Sequence, residues 1–219
     1  MKKVLLVFLI FALAFNLAGA RKKSKKAGEI DGGVFTDNKY GYSLTMSDAW
    51  DTSIKKDKDA VRIILLKKEF EIPMEYQHAP SYTKTPRVTV YADTTSLSLN
   101  QFVDMLLIDS IKCDQKKAVI NEFEILWGDF IQKGRAKMTV GDVTGIRLHG
   151  QKRYTIQVQR AGSESDKADV VTDFYGGSIF FAKDGNTIVM MNMICEWRYY
   201  ANEEKDFIKL INGFKFVKD

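Results

Sequence analysis

The sequence predicts an α+β fold, a central and mainly antiparallel β-sheet covered by helices on both faces in an α/β/α sandwich. Three observations carry this. Residues 175–182 and 187–197 read as strands straddling Lys183-Asp184-Gly185-Asn186, where Asp-Gly supplies the positive φ angles of a tight hairpin. The second of these strands, TIVMMNMICEW, is apolar on both sides, the pattern of a central strand covered above and below. Two segments with helical spacing, residues 97–111 and 200–212, supply the cover.

The other elements follow along the chain. Residues 34–37 and 40–46 predict a first hairpin around Asp37-Asn38-Lys39, because Asn and Asp tolerate turn geometry. Trp50 falls in a connecting loop. VRIILLK, residues 61–67, is a continuous apolar run that predicts a strand buried on both faces. In residues 87–92, Val88, Val90 and Ala92 alternate with Arg87, Thr89 and Tyr91. The intervening stretch 68–86 holds all three prolines together with Tyr76, His78 and Tyr82. A loop of that length in a single domain is often functional, so it is the leading candidate for a contact surface.

The first helix opens on Ser98 and Gln101, spaced as a capping box, and buries Leu99, Phe102, Val103 and Leu106. From residue 118 the pattern returns to strands. Phe123, Ile125 and Trp127 alternate with glutamates, residues 137–140 and 144–148 flank Gly141-Asp142, and Tyr154, Ile156 and Val158 alternate again. Gly176-Gly177 falls within a strand and marks a bulge or a close backbone approach. The last helix buries Phe207, Leu210 and Ile211, stops at Gly213, and leads into Phe214 and Phe216.

The chain has 219 residues and a formal charge of +5, with 45% hydrophobic and 28% charged residues. This composition excludes disorder, collagen and coiled coil. The positive charge is local: residues 1–26 hold seven bases and no acid, so residues 27–219 carry −2. A nucleic-acid partner thereby loses its support. Residues 1–20 read as a secretory signal, with two lysines, an apolar run over 4–17 and the small-residue ending Ala18-Gly19-Ala20. Residues 21–33 form a basic, flexible linker and residues 34–219 a single domain. The expected compartment is periplasmic or extracellular. In the alternative, the N-terminal segment stays uncleaved as an anchor. Either way, Arg21, Lys22, Lys23, Lys25 and Lys26 could make weak contact with a membrane surface.

Export would bring Cys113 and Cys195 into a compartment that permits disulfides, and the sequence leaves open whether they pair or stay as two buried thiols. The two histidines, His78 and His149, lie outside any nucleophile motif and read as surface or satisfied side chains. No catalytic, cofactor or metal site is expected; Asp57 and Asp59, interleaved with lysines in KKDKDA, read as a solvated turn.

Three pieces together resemble a known family. FTDNKYGYSLTMSDAW, SIFFAKDGNTIVMMNMIC and FIKLINGFKFV are similar to the PsbP-like superfamily, including DcrB-like exported bacterial proteins. An aromatic-Gly-aromatic strand (Tyr40, Gly41, Tyr42) runs into Trp50, and the final helix ends in a short aromatic strand (Phe214, Phe216). The resemblance spans most of residues 34–217. It implies an antiparallel sheet between helices and a non-catalytic accessory role, and it brings no catalytic residues to carry over.

The expected function is therefore that of an exported, non-catalytic accessory or partner-binding protein of the bacterial envelope. Its partner would be an envelope protein or other macromolecule, and its contact residues Trp50, Tyr76, His78 and Tyr82. The alternative is a small-molecule-binding protein or hydrolase with a pocket near the loop 68–86.

Overall fold

Hairpins dominate the chain because its turn residues sit where strands must reverse. Gly185 adopts φ +51° between strands whose register closes on Thr187 and Asp184, and Gly141 does the same with φ +56° between Val140 and Val143. The structure is a computed structural model and describes residues 25–71, 85–122, 130–158 and 169–217. Its elements are β1 (Glu29–Asp31), β2 (Val34–Asp37), β3 (Tyr42–Thr45), β4 (Trp50–Ile54), β5 (Val61–Lys67), β6 (Arg87–Thr94), α1 (Leu99–Leu107), α2 (Asp114–Glu122), β7 (Phe130–Val140), β8 (Val143–Val158), β9 (Asp169–Asp184), β10 (Thr187–Glu196), α3 (Trp197–Asn212) and β11 (Phe214–Phe216).

The strands form two sheets with antiparallel pairings. The larger has seven strands in the order β4-β5-β6-β10-β9-β8-β7, and the smaller has four in the order β1-β2-β3-β11. β10 is the middle strand of the larger sheet, as its two apolar faces predict. On one face of that sheet, Leu65, Val90 and Met191 pack against Phe35, Leu44 and Phe214 of the small sheet and Phe207 and Ile211 of α3. On the other face, Met190, Ile179 and Phe181 pack against Phe102, Val103 and Leu106 of α1 and Val119 of α2.

The α/β/α sandwich is thereby corrected. Strands make up 53% of the described residues, eleven strands against three helices, and the layer beneath one face is a second antiparallel sheet that shares that face with α3. The physical reason lies in short segments. β1, β2, β3 and β11 have three or four residues each, too few to show a period, yet pairing with one another they bury Phe35, Tyr42, Leu44 and Phe214.

Local differences follow the same logic. Residues 29–31, placed in the linker by sequence, form β1 against β2. Trp50, placed in a loop, opens β4. Residues 114–122 form α2, where strands were expected from residue 118, and the strand read at 123–127 lies outside the described residues. The capping box at α1 is as predicted: Gln101 N–H donates to Ser98 Oγ at 3.4 Å and Ser98 N–H donates to Gln101 Oε1 at 2.9 Å.

The two sheets are joined by one buried charge. The register of β5 against β6 shifts between Val61 and Ile63, which leaves Arg62 as an extra residue and turns its side chain inward. Arg62 is fully buried. Its Nε donates to Asp37 Oδ2 at 2.6 Å, Nη1 donates to the carbonyls of Asp57 (2.8 Å) and Asp59 (2.7 Å), and Nη2 donates to Ala27 O at 3.2 Å and Asp57 Oδ1 at 3.1 Å. Asp37 also accepts from the N–H groups of Lys39 (3.0 Å) and Tyr40 (3.2 Å). One guanidinium thus ties together the segment before β1, the β2–β3 turn and the β4–β5 turn.

Candidate contact site at the loop end of the sheet

The long irregular stretch leaves the large sheet after Lys67 and returns at Arg87, at the end where β4 begins and β10 passes into α3. This end is built on aromatic and charged side chains. Trp50 lies beneath Lys67, whose Nζ is 5.3 Å from the indole centroid. Lys67 also pairs with Glu203 (3.2 Å) and Asp206 of α3. Hydrogen bonds from Lys209 and then Lys67 hold the Asp206 carboxyl below its usual range, so the pair stays charged at neutral pH.

Beside it, Phe70 meets Tyr199 edge to face, with centroids 5.3 Å apart and planes at 90°. Trp197, the first residue of α3, stacks on Tyr200 at 5.3 Å and 17°, and remains 40% exposed. Its helix is capped by Glu196, whose carboxylate accepts from Arg198 N–H at 2.9 Å. Tyr200 O–H donates to Glu204, which also pairs with Arg147, and Arg147 Nε donates to Ser178 Oγ at 3.0 Å. Burial, reinforced by the Glu204 contact, pushes the Tyr200 hydroxyl well above its ordinary range.

Gly176 explains how Tyr200 comes so close. A Cβ there would overlap the Tyr200 ring, so the glycine provides the close approach that the sequence suggests. Gly176→Ala is expected to lose about 1–3 kcal/mol in urea unfolding, as overpacking does. A loss below about 0.5 kcal/mol would mean that the ring moves aside freely.

The sequence-predicted site residues divide unevenly. Trp50 is 3% exposed and packs in the core; its place opposite Lys67 in the β4–β5 ladder carries it inward. Tyr76, His78 and Tyr82 lie outside the described residues. Cys113 and Cys195 are both free. They pack on opposite faces of the seven-stranded sheet, Cys195 with the small sheet and α3, Cys113 beside α1, so no disulfide joins them. Burial, with Glu203, Glu196 and Glu204 adding, pushes the Cys195 thiol far above its ordinary value and disfavours the thiolate. His149 faces Gly134 across β7 and β8, its ring filling the space a Cβ would occupy. Trp197 was missed because it ends an apolar run and reads as one more strand residue; only the change to helix at that position turns it outward.

The glutamates, cysteine and histidine described here are engaged in caps, ion pairs or packing. Fold and site together define an antiparallel two-sheet α+β protein whose loop end presents a supported aromatic surface. The chain is similar to the solution structure of cyanobacterial PsbP from Synechocystis sp. PCC 6803, at 10% identity over 87% of this chain and 98% of that one, with a TM-score of 0.47. It is also similar to the crystal structure of LpqN of Mycobacterium tuberculosis, described as involved in cell envelope biogenesis, at 9% identity over 89% and 90% of the two chains, TM-score 0.49. A Bacteroides thetaiotaomicron structure matches at 9% identity over 87% of this chain and 50% of its own, TM-score 0.42. No family model matches the chain, and no curated protein matches it by sequence.

Proposed function

We propose that this protein is an exported, non-catalytic accessory protein of the bacterial envelope that binds a macromolecular partner through the loop end of its large sheet. The observation that carries the reading is Trp197. An exposed tryptophan held in one orientation by stacking on Tyr200 is the kind of side chain that dominates binding interfaces, because little conformational freedom remains to be lost. The groups beneath it favour a scaffold over a reaction centre. Glu196, Glu204 and Asp206 each hold a cap or an ion pair, and Cys195 is kept as a buried thiol. Export rests on the sequence of residues 1–20, and among the described residues no helix is long and apolar enough to cross a membrane.

Photo-crosslinking in the intact envelope tests this reading. A photoreactive side chain at position 197 should give a discrete crosslinked species, and one at Asp184, on the hairpin at the far end of β9 and β10, should not. The same species from both positions, or none from 197, would count against the loop end as the contact surface. Trp197→Ala should weaken the crosslinked complex while the fold stays intact, with a stability loss of about 0.5–1.5 kcal/mol from the lost stack on Tyr200.

A further inference from the structure

At the opposite end of β4 and β5 the fold gathers charge that the sequence distributes over thirty-four residues. Lys25 and Lys26 precede β1, Lys39 sits in the β2–β3 turn, and Lys55, Lys56 and Lys58 belong to the β4–β5 turn. Backbone bonds bring them together. Asp57 N–H donates to Lys25 O at 2.8 Å, Ala27 N–H donates to Lys55 O at 2.8 Å, Lys26 and Lys56 form a bridge, and Lys39 Nζ reaches Asp57 O at 3.4 Å. Five of the six lysines are exposed and Lys55 is half-buried. None of them forms an ion pair among the described residues.

The neighbouring acids offset only part of this charge. Asp37 and Asp57 face Arg62, Asp59 accepts from Lys56 N–H at 3.3 Å, and Glu29 and Asp31 stand exposed on β1. Between Lys25, Lys26, Asn38 and Lys39 lies an open depression of about 490 Å³. Ile30, 39% exposed, borders the same surface.

We infer that this six-lysine face docks the folded domain onto an anionic phospholipid surface. Two features select a bilayer as the occupant. The charge is complementary to lipid phosphates, and each lysine near such a surface adds to attraction that acts within about a Debye length. The chain also enters the face from the N-terminal side. Lys25 follows Arg21, Lys22 and Lys23, and the apolar run over residues 4–17 ends only eight residues earlier. Eight residues reach at most roughly 30 Å when extended, so whenever that run is in a membrane the lysine face is held beside it. In sequence the bases of the stub lead directly into this face, and the inference stands independently of the partner proposed for the loop end.

Vesicle co-sedimentation tests it, using the chain from Arg21, which keeps every described residue. Vesicles with about 30% phosphatidylglycerol should bind the protein, pure phosphatidylcholine vesicles should not, and about 0.5 M salt should release it. Replacing Lys39, Lys55, Lys56 and Lys58 together by Ala, with the stub intact, should lower partitioning about tenfold or more. If that variant is misfolded by circular dichroism, Lys56→Glu with Lys58→Glu, two exposed positions, should give the same loss. Unchanged partitioning of the folded variants would overturn the inference, since the stub alone would then account for binding. Equal binding to phosphatidylcholine, or tighter binding to duplex DNA than to anionic vesicles, would also overturn it.

Discussion

Arg62→Ala should destabilise the protein by about 3–5 kcal/mol, because it leaves the Asp37 carboxylate buried without its cation. The same change strands three backbone carbonyls, those of Ala27, Asp57 and Asp59, which the guanidinium now satisfies. Urea unfolding would measure the loss, and hydrogen exchange would locate it. The amides of Ala27 and Asp57, bonded to Lys55 O and Lys25 O, should exchange much faster, since Arg62 braces both the segment before β1, through Ala27 O, and the turn it pairs with. Asp37→Asn should cost less, because an amide oxygen at the Oδ1 position can still accept from Lys39 and Tyr40 N–H and from Arg62 Nη2 at 3.4 Å, and only the Arg62 Nε bond to Oδ2 is lost. A loss below about 1 kcal/mol for Arg62→Ala would show that water or a neighbouring lysine replaces the guanidinium.

Phe214→Ala should cost about 3–5 kcal/mol. Phe214 is 3% exposed and contacts Tyr42 at 5.8 Å, Phe180 at 6.1 Å and Phe216 at 5.1 Å between ring centroids. It belongs to β11, a strand of three residues paired with β3, and its contact with Phe180 links the small sheet to the large one. Phe214→Leu, which keeps most of the volume, should cost under about 1.5 kcal/mol. Near-ultraviolet circular dichroism of the alanine variant should lose its aromatic signal while the strand signal persists. Equal stability of the two variants would mean that the ring's shape contributes nothing to the junction.

Much of the framework was legible in residues. TIVMMNMICEW predicted a central strand and β10 is the middle of seven. Ser98 and Gln101 predicted a capped helix, and Gly185 a hairpin with positive φ. Gly176 marked a close approach, and the structure supplies Tyr200 as the reason. The surface proposed for contact was much less legible. Trp50, conspicuous in the sequence, is buried, whereas Trp197 was hidden at the end of an apolar run and is exposed. KKDKDA read as a solvated turn, and nothing local tells that it meets Lys25, Lys26 and Lys39.

Local composition and periodicity therefore determined most strands of the large sheet, the two amphipathic helices and the confinement of excess positive charge to residues 1–26, because each depends on neighbours within a few positions. The tertiary structure alone decided that β1, β2, β3 and β11 make a second sheet and that Arg62 is turned inward at a bulge. It also decided that lysines up to thirty-three positions apart share a face, and that the two cysteines lie on opposite sides of one sheet. These outcomes depend on pairings between segments distant in sequence. Three-residue strands and single side chains carry no period from which such pairings could be read.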